Sequence, residues 1–265
     1  NLPADDEKRN FVKIMNPLGE ETSVMRTTLI PNMLDVISTN ISHKVEEVSA
    51  FECGNTFIPQ EGLPIETKKY CVGMYGKEVD FFVLKGVIES VLNNVGLKGY
   101  EIEPETTNLT FHPGRCAKIV YNNIYIGTFG ELHPDVIENY NLGQRVYVAE
   151  INIDTVFENL NLTKSYNPLP KYPSTSRDIA LIVKDEVFVK QIEDIIKANG
   201  EDLVESYKLF DVYKGAQIEE GHKSIAYSIT YRSKDKTLTD EDVAKVHEKI
   251  LSELSEKLNA NLRSN

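Results

Sequence analysis

The sequence predicts an α+β protein in two parts: an antiparallel sheet with helices inserted between its strands, then a separate βαββαβ unit. Three observations carry that prediction. Short apolar runs bounded by turn residues recur before residue 160, with two longer stretches at helical spacing among them. Pro168, Pro170 and Pro173 then fall within six residues. Proline removes a backbone donor and pushes its predecessor to extended geometry, so 161–170 reads as a linker between a domain over 1–160 and one over 171–265. After the linker, strand and helix patterns follow in the order strand, helix, strand, strand, helix, strand. With 265 residues, 41% apolar and 26% charged, there is material for a core in each part.

In the first part, Leu29, Ile30, Met33, Leu34, Ile37 and Ile41 recur at three- and four-residue steps, which predicts a helix over 29–41. Pro31 suits its first turn, where a missing N–H costs little. A second helix is expected over 81–95, on a stripe of Val83, Ile88, Val91, Leu92 and Val95. Strands are expected at 47–58, 69–75, 117–121, 125–131 and 147–153. The third and fourth are joined through Asn122-Asn123, a pair suited to a tight hairpin, and a short helix begins near Pro134. Strands joined by turns, with helices inserted, predict a sheet covered by helices on one face.

The second part is more sharply marked. A strand is expected at 178–183 and a helix at 187–198 stopping at Asn199-Gly200. Strands follow at 203–213 and 224–231. The helix over 240–258 carries Val243, Val246, Ile250, Leu251, Leu254 and Leu258 on one face. Thr239 is placed to cap it, and Asp240, Glu241 and Asp242 complement the positive end of its dipole. A short strand at 261–263 completes βαββαβ, the ferredoxin-like arrangement, which hosts many unrelated activities.

Composition excludes several classes. The net charge of −12 is wrong for a protein that coats nucleic acid by bulk electrostatics. The excess is uneven, −9 over 1–170 and −3 over 171–265, so any RNA contact must come from a local patch in the second part. Cys53, Cys71 and Cys116 are odd in number and widely spaced, which fits buried free thiols in a reducing cytosol and no metal site. No apolar run reaches the roughly 18 residues of a membrane span. The first eleven residues lack a signal-peptide core and carry a charged run over 5–9, so the chain reads as a piece of something longer. His112-Pro113 and His133-Pro134 read as turns rather than acid–base groups, and glycines 114, 127 and 130 form no phosphate loop. Phe210 is expected in the core.

Two sets of residues go beyond fold. Tyr172-Pro173-Ser174-Thr175-Ser176-Arg177-Asp178-Ile179-Ala180, Leu209-Phe210-Asp211-Val212-Tyr213-Lys214-Gly215, Ser224-Ile225-Ala226-Tyr227 and Lys236-Thr237-Leu238-Thr239-Asp240-Glu241-Asp242-Val243 resemble the ferredoxin-fold anticodon-binding domain of phenylalanyl-tRNA synthetases. Upstream, Asn16-Pro17-Leu18, Met25-Arg26-Thr27-Thr28-Leu29-Ile30-Pro31, Phe51-Glu52-Cys53-Gly54-Asn55-Thr56-Phe57 and Gly130-Glu131-Leu132-His133-Pro134 resemble the catalytic-like domain of the bacterial β subunit. The resemblance implies a class II synthetase-like antiparallel sheet with helices over 1–160 and a C-terminal fragment of the β subunit as a whole. It also implies a catalytic α subunit as partner in an (αβ)2 enzyme of the cytoplasm, tRNA(Phe) as ligand, and ATP and Mg2+ used by the holoenzyme but not held by this fragment. Class II enzymes clamp ATP with arginines, one after the second-motif strand and one in a glycine-rich third motif. Here the first of those positions reads Phe57-Ile58-Pro59-Gln60. The second reads Val148-Ala149-Glu150-Ile151-Asn152-Ile153-Asp154, with two carboxylates and no arginine. No catalytic residue is therefore expected, and Arg26 is expected to cap or to form a salt bridge.

The RNA-contact candidates are Arg177, Tyr213, Lys214, Lys223, Arg232, Lys234 and Lys236, centred on the loop Ser233-Lys234-Asp235-Lys236-Thr237, with Tyr213 and Tyr231 available to stack on unpaired bases. Two other classes compete with the synthetase reading. One is a stand-alone RNA-binding or regulatory derivative; the other is a small-molecule sensor on the ferredoxin-like fold.

Overall fold

Strand pairing organises the chain into two units, Asn1–Lys164 and Ser165–Asn265. The computed structural model describes residues 2, 3, 5–163, 166, 168–215 and 217–263. Of the expected linker 161–170, Lys164, Ser165 and Asn167 lie outside the described residues.

The first unit is built on six antiparallel strands: β1 (Val48–Ile58), β2 (Ile65–Tyr75), β3 (Glu101–Pro104), β4 (Phe111–Tyr121), β5 (Ile124–Leu132) and β6 (Tyr147–Asn152). Their order across the sheet is β1-β2-β6-β5-β4-β3. The helices are α1 (Ile30–Ser42), α2 (Phe81–Asn94), α3 (Pro134–Asn139) and α4 (Ile153–Glu158). The sheet is covered on both faces, which corrects the expectation of helices on one. Met33, Leu34 and Ile37 of α1 and Val136 of α3 pack with Cys71, Tyr75, Leu132 and Val148. Leu84, Ile88 and Leu92 of α2 and Val156 of α4 pack with Val72, Met74, Phe129 and Ala149 on the other side. Successive residues of a strand point to opposite faces, so two-sided cover buries unbroken runs, such as Gly127 to Leu132 on β5. The core stripe of α2 also differs from expectation: Leu84 enters it, while Val83 is exposed.

Close backbone packing explains glycines that form no phosphate loop. A Cβ on Gly127 would stand 2.4 Å from the Glu150 carbonyl oxygen on β6, and one on Gly130 would stand 2.5 Å from the Arg115 carbonyl oxygen on β4. The β4–β5 hairpin turns through Asn122 and Asn123 at φ 49° and 63°. Asparagine tolerates that left-handed region, as a tight primed turn requires. His112 and His133 serve turns: the Nδ1 of each accepts the amide two residues on, from Gly114 and Asp135. Cys71 and Cys116 are buried free thiols, whereas Cys53 is exposed on the edge strand β1, contrary to expectation.

The second unit comprises β7 (Thr175–Lys184), α5 (Val189–Asn199), β8 (Val204–Tyr213), β9 (His222–Tyr231), α6 (Asp240–Leu258) and β10 (Asn261–Leu262). The antiparallel sheet runs β10-β7-β9-β8, as the ferredoxin-like arrangement requires. Ile225, Tyr227, Ile229 and Tyr231 alternate along β9 into a core shared with Ile192 and Ile196 of α5 and Val243, Val246, Ile250 and Leu254 of α6. Thr239 and Asp242 cap α6 reciprocally, each side chain accepting the other's amide, at 3.2 and 3.1 Å. α5 stops at Asn199 as expected, but Gly200 is not the left-handed residue; Glu201 is, at φ 52°. Gly200 is needed for space, since a Cβ there would lie 2.5 Å from Val204 Cγ2. Phe210 is 54% exposed beside a β-bulge on the edge strand β8, not in the core.

Candidate nucleic-acid interface

The seven candidates of the second unit do not form one patch. Thr175 pairs with Tyr231 at one end of the β7–β9 ladder and Lys184 with His222 at the other. Strand rise over that span puts the two ends about 30 Å apart. Arg177, Arg232, Lys234 and Lys236 gather at the first end, beside the start of α6. Tyr213, Lys214 and Lys223 lie at the second.

At the first end the loop after β9 is shaped by Ser233, whose hydroxyl accepts the Asp235 amide at 3.1 Å, and is anchored by Leu238, which packs on the core. Lys234 projects from it, exposed, with no hydrogen bond or ion pair to another described residue. Lys236 donates to both carboxylate oxygens of Asp242 at 2.8 Å. This pairing first, then the Thr239 amide and hydroxyl, pulls the Asp242 carboxyl down to about 2. Arg177 donates to Asp240 at 2.6 Å. Arg232 is committed to structure: Nε donates to Glu205 at 2.9 Å and a terminal nitrogen to the Tyr172 carbonyl at 2.6 Å.

Tyr231 belongs to the core and cannot stack on a base. It is fully buried, its hydroxyl is 2.9 Å from Nδ1 of His247 on α6, and burial raises its pKa to about 12. The His247 pKa is lowered by burial and then by Arg177.

At the second end Lys214 pairs with the Asp185 carboxylate, and Lys223 donates to the Asp185 carbonyl, both at 2.8 Å. Burial and the nearby Lys214 lower the Lys223 pKa. Tyr213 is 37% exposed, and Arg263 stands over its ring at 5.7 Å from the centroid. Arg263 and Asp185 escaped the sequence reading, and Asp240, read there only as complementing the α6 dipole, also takes Arg177. Arg263 follows β10 and Tyr213 ends β8, the two edge strands, so the pairing of all four strands brings them together and no short-range pattern announces it. Between the two ends the sheet face away from the helices carries small side chains, including Ser176, Asp178, Ala180, Ser228 and Thr230, with Ser176 and Thr230 hydroxyls 3.3 Å apart.

In the first unit the motif-like positions are occupied structurally. Arg26 lies across β1, with a salt bridge to Glu52 at 2.6 Å and a bond to the Asn55 carbonyl at 3.0 Å. Gly54 makes room for it: a Cβ there would meet its guanidinium at 2.1 Å. Glu150 Oε1 accepts the Thr28 hydroxyl at 2.6 Å and the Leu29 amide at 2.7 Å, so it holds the start of α1. Asp154 accepts the Lys68 amide at 2.8 Å, and Gln60 donates to the Leu63 carbonyl at 2.9 Å. No helix of the described residues is long and apolar enough to cross a membrane.

Comparison with known proteins matches both units. The family described as phenylalanyl tRNA synthetase beta chain CLM domain matches residues 1–153, and the ferredoxin-fold anticodon binding domain matches residues 170–263. The chain is 46% identical to the phenylalanine–tRNA ligase β subunits of Clostridium tetani and Clostridium acetobutylicum, over 99% of its own length and 33% of theirs. It is 37% identical to that of Symbiobacterium thermophilum, over 99% of its length and 31% of the relative's. The chain spans about a third of the length of these relatives. With the six-stranded unit matched to one family and the ferredoxin-like unit to the other, in that order, the chain belongs to the phenylalanyl-tRNA synthetase β chain family.

Proposed function

We propose that this chain is a non-catalytic part of a class II phenylalanine–tRNA ligase in the cytoplasm. Its second unit binds the anticodon region of tRNA(Phe); its first packs against the catalytic α subunit of an (αβ)2 assembly. The observation that carries the RNA reading is the first end of the second unit. There a unit matched to an anticodon-binding family clusters four cations around an exposed loop, beside a sheet face lined with small residues. Partner packing is supported by exposed apolar groups on the first unit: Met15 and Leu18 between the bridged residues Lys13 and Val24, Phe51 on the edge strand β1 and Val36 on α1. ATP and Mg2+ act in the α subunit. The positions that would clamp phosphate here hold the carboxylates Glu150 and Asp154, which accept the Leu29 and Lys68 amides and would repel a phosphate.

The test is phenylalanine-dependent ATP–pyrophosphate exchange by the chain alone and after mixing with the α subunit, alongside tRNA binding by the full-length enzyme across a salt series. No exchange alone, a gain over α alone on mixing, and tRNA affinity that falls steeply with salt are expected. Exchange by the chain alone, or salt-independent binding that Lys234→Ala leaves unchanged, would overturn the proposal.

A further inference from the structure

Two of the cations at the first end face carboxylates contributed by the first turn of α6. A helix N-terminus ordinarily attracts phosphate through its free amides and dipole. Here Asp240, Glu241 and Asp242 occupy that turn. Asp240 takes Arg177 and Asp242 takes Lys236. Carboxylate and phosphate compete for the same guanidinium and ammonium donors. We propose that the α6 acids are an internal competitor for RNA phosphate: an RNA backbone must displace Asp240 from Arg177 and Asp242 from Lys236, and this exchange sets the affinity of the surface. The inference rests on the reading that this end of the unit meets RNA.

The four cations differ in how readily they can change partners. Arg232 is locked, since a second bond to the Tyr172 carbonyl holds what Glu205 alone would not. Lys234 is uncommitted. Arg177 and Lys236 are intermediate. Their side chains are 42% and 60% exposed, and Asp240 is 93% exposed. A pair as exposed as Arg177–Asp240 is weak and exchanges without desolvating either group, whereas Asp242, 28% exposed and held by the cap, releases Lys236 less readily. A competitor of this strength leaves binding possible but lowers it.

Asp240 is the position to test, because Asp242 also closes the cap of α6 and its removal would disturb the helix. tRNA affinity is measured on the full-length enzyme carrying Arg177→Ala, Asp240→Asn, both together, or Asp240→Glu, at several salt concentrations. Arg177→Ala is expected to weaken binding about threefold or more. Asp240→Asn should tighten it about two- to fivefold and steepen the salt dependence, a gain that vanishes in the double variant. Asp240→Glu, which keeps the charge, should show no gain. If Arg177→Ala weakens binding but Asp240→Asn does not strengthen it, the competitor is refuted while the RNA-binding reading stands. If neither changes affinity, Arg177 does not meet RNA and both fall at this end of the unit.

Discussion

Replacing Glu150 by alanine removes the acceptor on which the first turn of α1 is built. Its Oε1 takes the Thr28 hydroxyl at 2.6 Å and the Leu29 amide at 2.7 Å. Hydrogen bonds to a charged acceptor contribute about 1.5–3 kcal/mol each, and a carboxylate at a helix start about 0.3–1 kcal/mol more. The two bonds are unequal on removal. The Thr28 hydroxyl can rotate to another acceptor, whereas Leu29 is fully buried and its amide is left without one. The Leu29 bond therefore dominates, and the expected loss is about 2–3 kcal/mol. The loss should be local, so native-state hydrogen exchange is the assay. Amides of Met33, Leu34 and Ile37 should lose about 30- to 150-fold in protection, at a factor of ten per ~1.4 kcal/mol. Amides of β7 and β9, in the other unit, serve as the reference. Glu150→Gln, which keeps an oxygen but not the charge, should lose only about 1 kcal/mol. Protection in α1 of the alanine variant within about threefold of the parent would refute the assignment of this carboxylate to structure.

Two further predictions concern the two units separately. Gly130→Ala puts a Cβ 2.5 Å from the Arg115 carbonyl oxygen and 2.8 Å from Cys116 Cα. Both are backbone and cannot swing aside, so about 3 kcal/mol or more should be lost in urea unfolding, against less than about 0.5 kcal/mol for Gly114→Ala, where the nearest atom is a side-chain carbon; equal effects would sink this. His247, with its pKa lowered by burial and by Arg177, takes up its proton less readily folded than unfolded. Its stabilising contribution is complete above about pH 6.5 and falls as pH drops through the lowered native value. The melting temperature of the second unit should thus fall more between pH 7.5 and 5.5 in the parent than in His247→Gln, and identical slopes would contradict it.

What was legible in the sequence depends on residues a few positions apart. The capping pair Thr239 and Asp242, the stripe of α6 and the Asn122-Asn123 turn all lie within a turn or two of chain, and each local preference agrees with the final fold. The family was legible for a related reason, since its motifs are contiguous stretches. Whether a face is covered is not a local property. The short apolar runs of β2 and β5 do not say by themselves on which faces helices lie, so the two-sided sheet is not legible in the sequence, nor are the short elements β3 and α4. Phe210 and Cys53 look like core residues, but both lie on edge strands, where no neighbouring strand covers them. Residue type alone nominates the seven RNA candidates, and strand direction divides them between two ends of a sheet. Their chemistry was settled further off still: Arg177 and Asp240 are 63 positions apart in the chain and 2.6 Å apart in space. Composition alone tells which cations the second unit possesses; which of them are paired depends on contacts between residues far apart in the chain, because a charge is neutralised by whatever the fold brings within reach of it.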